Sequence, residues 1–129
     1  MKPSTLSPPE RLSEKPFKDP FYLSITGLQL KRFWHIVEFF WHSTRSFKHA
    51  EKAPGNLKVA ARYHQGIFFT ISAWKTKKEM QAFAFMPPHS HAIRAFRRIA
   101  TGKTWGQETS ALPSWEEVFQ VYEKKAKTY

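Results

Sequence analysis

Cysteine is absent from the 129-residue chain, which excludes disulfides and thiolate–metal sites but leaves the redox compartment open. Acidic residues are scarce: 10 stand against 21 lysines and arginines, a net charge of +11. No paired carboxylates stand out, which argues against a hydrolase working through two acids. No apolar run approaches the ~18 residues of a membrane span, and the N-terminus has no apolar core of a secretory signal. A cytoplasmic protein is therefore expected. The glycine motifs of nucleotide-binding loops and of serine hydrolases are also missing. Asparagine occurs once, at Asn56.

What remains is basic and aromatic. The charge favours anionic partners, and aromatics make up 16% of the chain. That pair of properties fits a single-strand nucleic-acid binder as well as a pocket protein with a basic rim.

Residues 1–20 hold five of the nine prolines and no aromatic before Phe17. They cannot bury enough apolar surface to offset chain entropy and read as a disordered arm. One small domain, 21–129, follows. Phe21 to Leu30, "FYLSITGLQL", reads as a strand, with Gly27 marking a bulge or a close approach. From Lys31 to Glu51 the period changes. Phe33, Ile36, Val37, Phe40, Thr44 and Phe47 recur at three and four, predicting a helix with that stripe facing the core. Ala53-Pro54-Gly55-Asn56 ends it.

"LKVAARYH" (57–64) and "IFFTISAW" (67–74) are strands joined by a Gln65-Gly66 hairpin turn. The second is apolar on nearly both faces, so both are expected to be covered. Thr76-x-x-Glu79 opens a short helix as a capping box, and Pro87-Pro88 breaks it. A further helix runs from His89 to about Ala100, with Gly102 as its stop. "KTWGQETSA" suits a last strand, and Ser114-x-x-Glu117 opens a terminal helix. The order β-α-β-β-α-β is the ferredoxin-like α+β arrangement.

Four side-chain groups call for a reading. His35, Glu38, His42, Arg45 and His49 share a face of the first long helix. A solvated face suits them better than a metal site, since Arg45 opposes a cation. Trp34 and Trp41, seven apart, read as packing residues. Arg94, Arg97 and Arg98 form a basic face, solvated by default and anion-binding as the alternative. His89 and His91 follow the two prolines. Their i, i+2 spacing turns the rings apart, so one metal would not take both. His89 lies at a helix start, where free N–H groups attract anions, and it titrates near neutral pH. On these grounds it is as readily a surface histidine as a site residue.

The run from Ile71 to Arg98, "ISAWKTKKEMQAFAFMPPHSHAIRAFRR", resembles spheroidene monooxygenase and its small uncharacterised relatives in the dimeric α+β barrel superfamily. That superfamily includes antibiotic-biosynthesis monooxygenases and heme-degrading monooxygenases. The resemblance lies in a strand ending in Trp74, a capped helix with Ala82-Phe83, then Pro88-His89 and Ala92-Ile93-Arg94. It implies a monooxygenase-like protein holding an apolar or aromatic small molecule between sheet and helices. A homodimer paired sheet against sheet is expected from "IFFTISAW": a single helical layer covers one face of the sheet and leaves the other, apolar, face for a second copy. The resemblance also implies heme as the first cofactor to test. Trp74, Phe83, Phe85 and Met86 would be walls, His89 the iron ligand or proton carrier, and Arg94 the partner of a carboxylate such as a propionate. The asparagine-tryptophan-histidine set of heme-degrading relatives has no counterpart. The competing readings are a basic polyanion-binding (nucleic-acid) module and a non-catalytic structural or regulatory protein.

Overall fold

The computed structural model describes residues 20–128; the predicted arm lies almost wholly outside them. Strands β1 (Phe21–Leu30), β2 (Asn56–His64), β3 (Ile67–Trp74), β4 (Ala100–Thr109) and β5 (Lys127–Thr128) form one sheet. Its order is β2-β3-β1-β4-β5, and all neighbours are antiparallel. The first four strands are in ferredoxin-like order, as expected. A single 3-10 turn, Phe33–His35, leads into helix α1 (Ile36–Lys52). Helices α2 (Lys77–Ala84) and α3 (His89–Ile99) precede β4, and α4 (Trp115–Lys125) precedes β5.

Local chemistry explains the boundaries. Gln65 and Gly66 both have positive φ, at 49° and 85°, the tight turn whose twist matches a hairpin. Thr76 Oγ1 accepts the Glu79 amide at 3.1 Å. The Glu79 carboxylate returns to the Thr76 hydroxyl at 3.2 Å and not to a backbone N–H, so this cap is half of a capping box. At α4 both halves are present: Glu117 N–H to Ser114 Oγ at 3.2 Å, and Ser114 N–H to Glu117 Oε1 at 2.9 Å. α3 ends without help from Gly102. Ala100 turns straight into extended backbone and starts β4.

The strands divide their side chains between two faces by period two. Phe21, Leu23, Ile25, Phe69, Ile71 and Ala73 point to one side. There α4 lays Trp115, Val118 and Tyr122 over them, at helical spacings of three and four, with Leu112 just before. This alters the ground for a sheet-against-sheet dimer. That expectation assumed an uncovered sheet face, and α4 of the same chain occupies it. The other face carries α1, α2 and α3.

Gly27 marks a close approach and no bulge, since its pairing with Phe69 and Lys103 is in register. Tyr122 Oη donates to the Gly27 carbonyl at 3.3 Å. A Cβ on Gly27 would meet the Tyr122 ring at 2.5–2.7 Å. Gly27→Ala should therefore push α4 off the sheet and cost about 1–3 kcal/mol, read as a lower midpoint in urea. Tyr122→Leu in the same background should return part of that loss.

α1 is set the other way round from its sequence pattern. Phe39, Ser46 and Ala50 are its buried residues. Phe33, Ile36, Val37 and Phe40, read as the core stripe, are exposed, and Phe47 is half-buried. The contact with α3 decides the rotation. Phe39 enters between Phe68 and Phe96, with ring centroids 4.6 and 5.3 Å away, and Glu38 forms an ion pair with Arg98. The histidine face expected to be solvated is partly turned inward. His42 lies beside Phe96, and His49 stacks on Phe83 at 5.4 Å.

Candidate functional site

Between the sheet and the α1–α3 layer lies a cavity of about 610 Å³, within the usual range for small-molecule sites. Its floor comes from the second set of alternating strand residues. β1 contributes Tyr22, Ser24 and Thr26, β3 contributes Thr70, Ser72 and Trp74, and β4 contributes Thr104. The roof is Phe39, Ser43, Ser46 and Phe47 of α1; Met80 and Phe83 of α2 with His89 of α3 close one end, and Phe96 of α3 lines the other, beside Phe39. Phe40 and Tyr63 also line it and are exposed, so they stand at its mouth, on either side of Phe68.

The floor is polar but tied together. Trp74 Nε1 donates to Ser72 Oγ at 2.8 Å, and Thr104 Oγ1 donates to the Ile25 carbonyl at 3.2 Å. Each hydroxyl keeps acceptor capacity toward the cavity. Burial raises the pKa of the Tyr22 phenol, so it stays a donor throughout the neutral range.

Phe83 is the hub of the closed end. It is buried, with Trp74 at 5.2 Å and His89 at 4.6 Å between ring centroids. The α2–α3 break then serves geometry: Pro87-Pro88 ends one helix so that the next begins with His89 against Phe83. His89 Nδ1 lies 3.2 Å from the Ala84 carbonyl. A carbonyl can only accept, so Nδ1 carries the proton, and in the neutral ring Nε2 holds the lone pair. The pKa of His89 is lowered, mainly because burial disfavours the imidazolium. The Ala84 bond opposes the shift, and His49, across Phe83, adds to it. His49 Nδ1 is itself buried without a hydrogen-bond partner.

Of the residues singled out from sequence, the fold brings Trp74, Phe83 and His89 together at one end of this cavity. Phe85 and Met86 are exposed and do not line it, and Arg94 is exposed on the outer side of α3. His91 is exposed as well. Sequence reasoning missed the hydroxyl floor and the serines of α1. Their signal was the alternation Ser24-x-Thr26 and Thr70-x-Ser72 within strands otherwise apolar.

For heme, the donor set is incomplete. His89 offers one imidazole with a carbonyl-bound Nδ1, the arrangement an axial ligand uses. The cation expected to take a propionate, Arg94, is outside the cavity. Among the described residues no three His, Asp or Glu side chains are placed to hold a metal ion, and Glu38 of the α1 face is held by Arg98.

Fold and cavity together define an α+β domain with a cavity of small-molecule size between its sheet and one helical layer. No family model matches the chain, and no curated protein matches it in sequence. Solved structures do match in fold. SnoaB, a cofactor-independent oxygenase from Streptomyces nogalater, is 12% identical, with a TM-score of 0.60 over 69% of this chain and 92% of its own. A Deinococcus radiodurans protein assigned to the antibiotic biosynthesis monooxygenases is 15% identical, with a TM-score of 0.63 over 72% of this chain and 96% of its own. One from Nitrosomonas europaea, assigned likewise, is 16% identical, with a TM-score of 0.61 over 72% and 91%. The chain thus has a ferredoxin-like α+β fold similar to that of these proteins. At these identities the likeness is one of fold.

Proposed function

We propose that the protein is a monooxygenase-like enzyme that encloses an apolar or aromatic small molecule and uses His89 to take a proton from it. The observation that carries this reading is a half-buried imidazole, neutral at neutral pH, with its Nδ1 proton occupied by Ala84 and its Nε2 lone pair left for substrate, at the closed end of an aromatic-walled cavity. The hydroxyl floor and Tyr22 would orient polar groups of the substrate. Phe39, Phe83 and Trp74 would hold its ring and exclude water. Oxygenation without a cofactor needs an electron-rich substrate, and removing a proton is how a side chain supplies one. SnoaB, similar in fold, is described as working without a cofactor. The incomplete heme set points the same way.

A fused-ring phenol such as 2-naphthol is a suitable first probe. It should bind saturably, by calorimetry or tryptophan quenching. Ser24→Phe, which fills the cavity from a half-buried position, should weaken binding at least about tenfold. Equal binding by this variant would remove the cavity as the site. Hemin is the second probe. We expect no Soret shift that depends on His89. A saturable shift abolished in His89→Ala would instead place iron on this imidazole.

A further inference from the structure

The outer face of α1 is the surface the fold leaves unexplained. Phe33 is 81% exposed, Val37 77%, Trp34 62% and Trp41 56%, with Ile36 and Phe40 also exposed. Phe33 and Trp34 stand on the 3-10 turn that leads into α1; on the helix itself 37 and 41 run along one line, with 36 and 40 beside it. A contiguous apolar surface of this kind on a soluble chain marks an interaction site. The inward rotation of Phe39 and Ser46 means that no rearrangement within the domain hides it while the α1–α3 contact stands.

We propose that this face docks on an anionic lipid membrane surface. Three observations choose that occupant. The first is charge. Arg32 lies over the Trp34 ring at 5.8 Å and Arg45 over the Trp41 ring at 4.7 Å. Lys48 is on the same side of the helix one turn further on. From residue 31 to 50 the sole acid is Glu38, and Arg98 holds it. Lys31 Nζ donates to the Arg97 carbonyl at 3.3 Å, which joins the basic end of α3 to the start of this face. A second copy would set these cations against each other, whereas an anionic surface attracts them.

The second observation is shape and residue type. The face is the outer side of a helix and of the turn before it, and carries two tryptophans. Aromatic rings with a polar edge, flanked by arginines whose stems run along them, suit the headgroup–acyl boundary. No described helix is long and apolar enough to cross a membrane, so docking would be peripheral. The third is continuity. Phe40 belongs both to this face and to the cavity mouth. A docked molecule would turn that mouth toward the bilayer, giving apolar ligands a route that avoids water. The docking itself does not depend on what the cavity does.

Vesicle sedimentation of the full chain tests the proposal. The probes are vesicles of phosphatidylcholine alone and of phosphatidylcholine mixed with phosphatidylglycerol. The protein should partition onto the mixed vesicles and at least about tenfold less onto the neutral ones. Trp34→Glu with Trp41→Glu should cut binding at least about tenfold. Arg32→Gln with Arg45→Gln should cut binding to the mixed vesicles roughly thirtyfold, about fivefold per cation. All four positions are exposed, so both variants should keep the wild-type melting temperature. Failure of the wild type to sediment with mixed vesicles would overturn the proposal, as would variants that bind like the wild type. If light scattering instead showed the tryptophan variant dissolving a dimer, the face would be a contact between copies. Capture of a labelled single-stranded oligonucleotide through the same residues, with no vesicle binding, would assign it to nucleic acid.

Discussion

Val118→Asp should lower the free energy of unfolding by about 3–5 kcal/mol, the usual cost of an unpaired charge in a core. Val118 is 0% exposed at the centre of the α4–sheet contact. Around it are Leu23, Ile25, Ile71 and the rings of Trp115 and Tyr122, and the Tyr122 hydroxyl is already given to the Gly27 carbonyl, so a carboxylate there would be poorly solvated. A domain of this size has only about 5–15 kcal/mol in hand, so the variant should be unfolded, or nearly so, at body temperature. Val118→Ala, which removes only methyl groups, should cost about 1–3 kcal/mol. Urea titration with light scattering gives both the loss and the state of assembly. The comparison also decides what covers this sheet face in solution. If a second sheet displaced α4, Val118 would lie in solvent and the aspartate would be tolerated. Near-wild-type stability in a dimeric Val118→Asp protein would therefore restore the sheet-paired dimer.

The fold was readable because its cues are local. β1 and β3 begin and end where the sequence pattern places them, since alternation and flanking breakers need no tertiary information. The Gln65-Gly66 turn and the Ser114 box are likewise four-residue chemistry. α1 was misoriented because it has two aromatic stripes. Phe33, Val37, Phe40 and Trp41 make one, and Phe39 with Phe47 another. Periodicity finds a helix but cannot say which stripe turns inward. Contacts with α3 choose, and they are remote in sequence. The cover of the second sheet face was misread for a related reason. β3 announces that both its faces are buried, but not whether the cover comes from this chain or from another.

The site was legible at one end only. His89, Phe83 and Trp74 lie within a 16-residue stretch that the strand-to-helix transition folds onto itself, so a local pattern could find them. Phe85 and Met86 sit in the same stretch but on the turn that leads into the proline break, which carries their side chains outward. The hydroxyl floor is assembled from three strands separated by some 80 residues, from Ser24 to Thr104. Its parts are single small residues inside apolar strands, a weak signal taken alone. They become a surface only when the register places Thr26 opposite Thr70 and Thr104.

His89→Gln should reduce turnover by roughly 10²–10⁴-fold, the range expected for loss of a positioned general base, with little change in KM. The amide can still donate to the Ala84 carbonyl and fill the space against Phe83, but it cannot take up a proton. The wild-type rate should be flat at neutral pH and fall in acid, where the imidazole protonates. Because burial lowers that pKa, the fall should begin below the ordinary value of about 6.5. Stability gives a second readout that needs no substrate. The unfolded chain takes a proton on this histidine near 6.5, and the folded chain refuses it until a lower pH. In the window between the two pKa values the unfolded state binds more protons. Folding stability is therefore fully present above about 6.5 and declines as pH falls through the window, by at most about 1.4 kcal/mol per pH unit. Below the folded pKa the loss from this group is complete. His89→Gln removes the titrating group, so the wild-type and variant curves of unfolding free energy against pH should differ in slope within that window and run parallel outside it. Parallel curves throughout would mean that His89 titrates alike in folded and unfolded chains, and would remove the lowered pKa from its description.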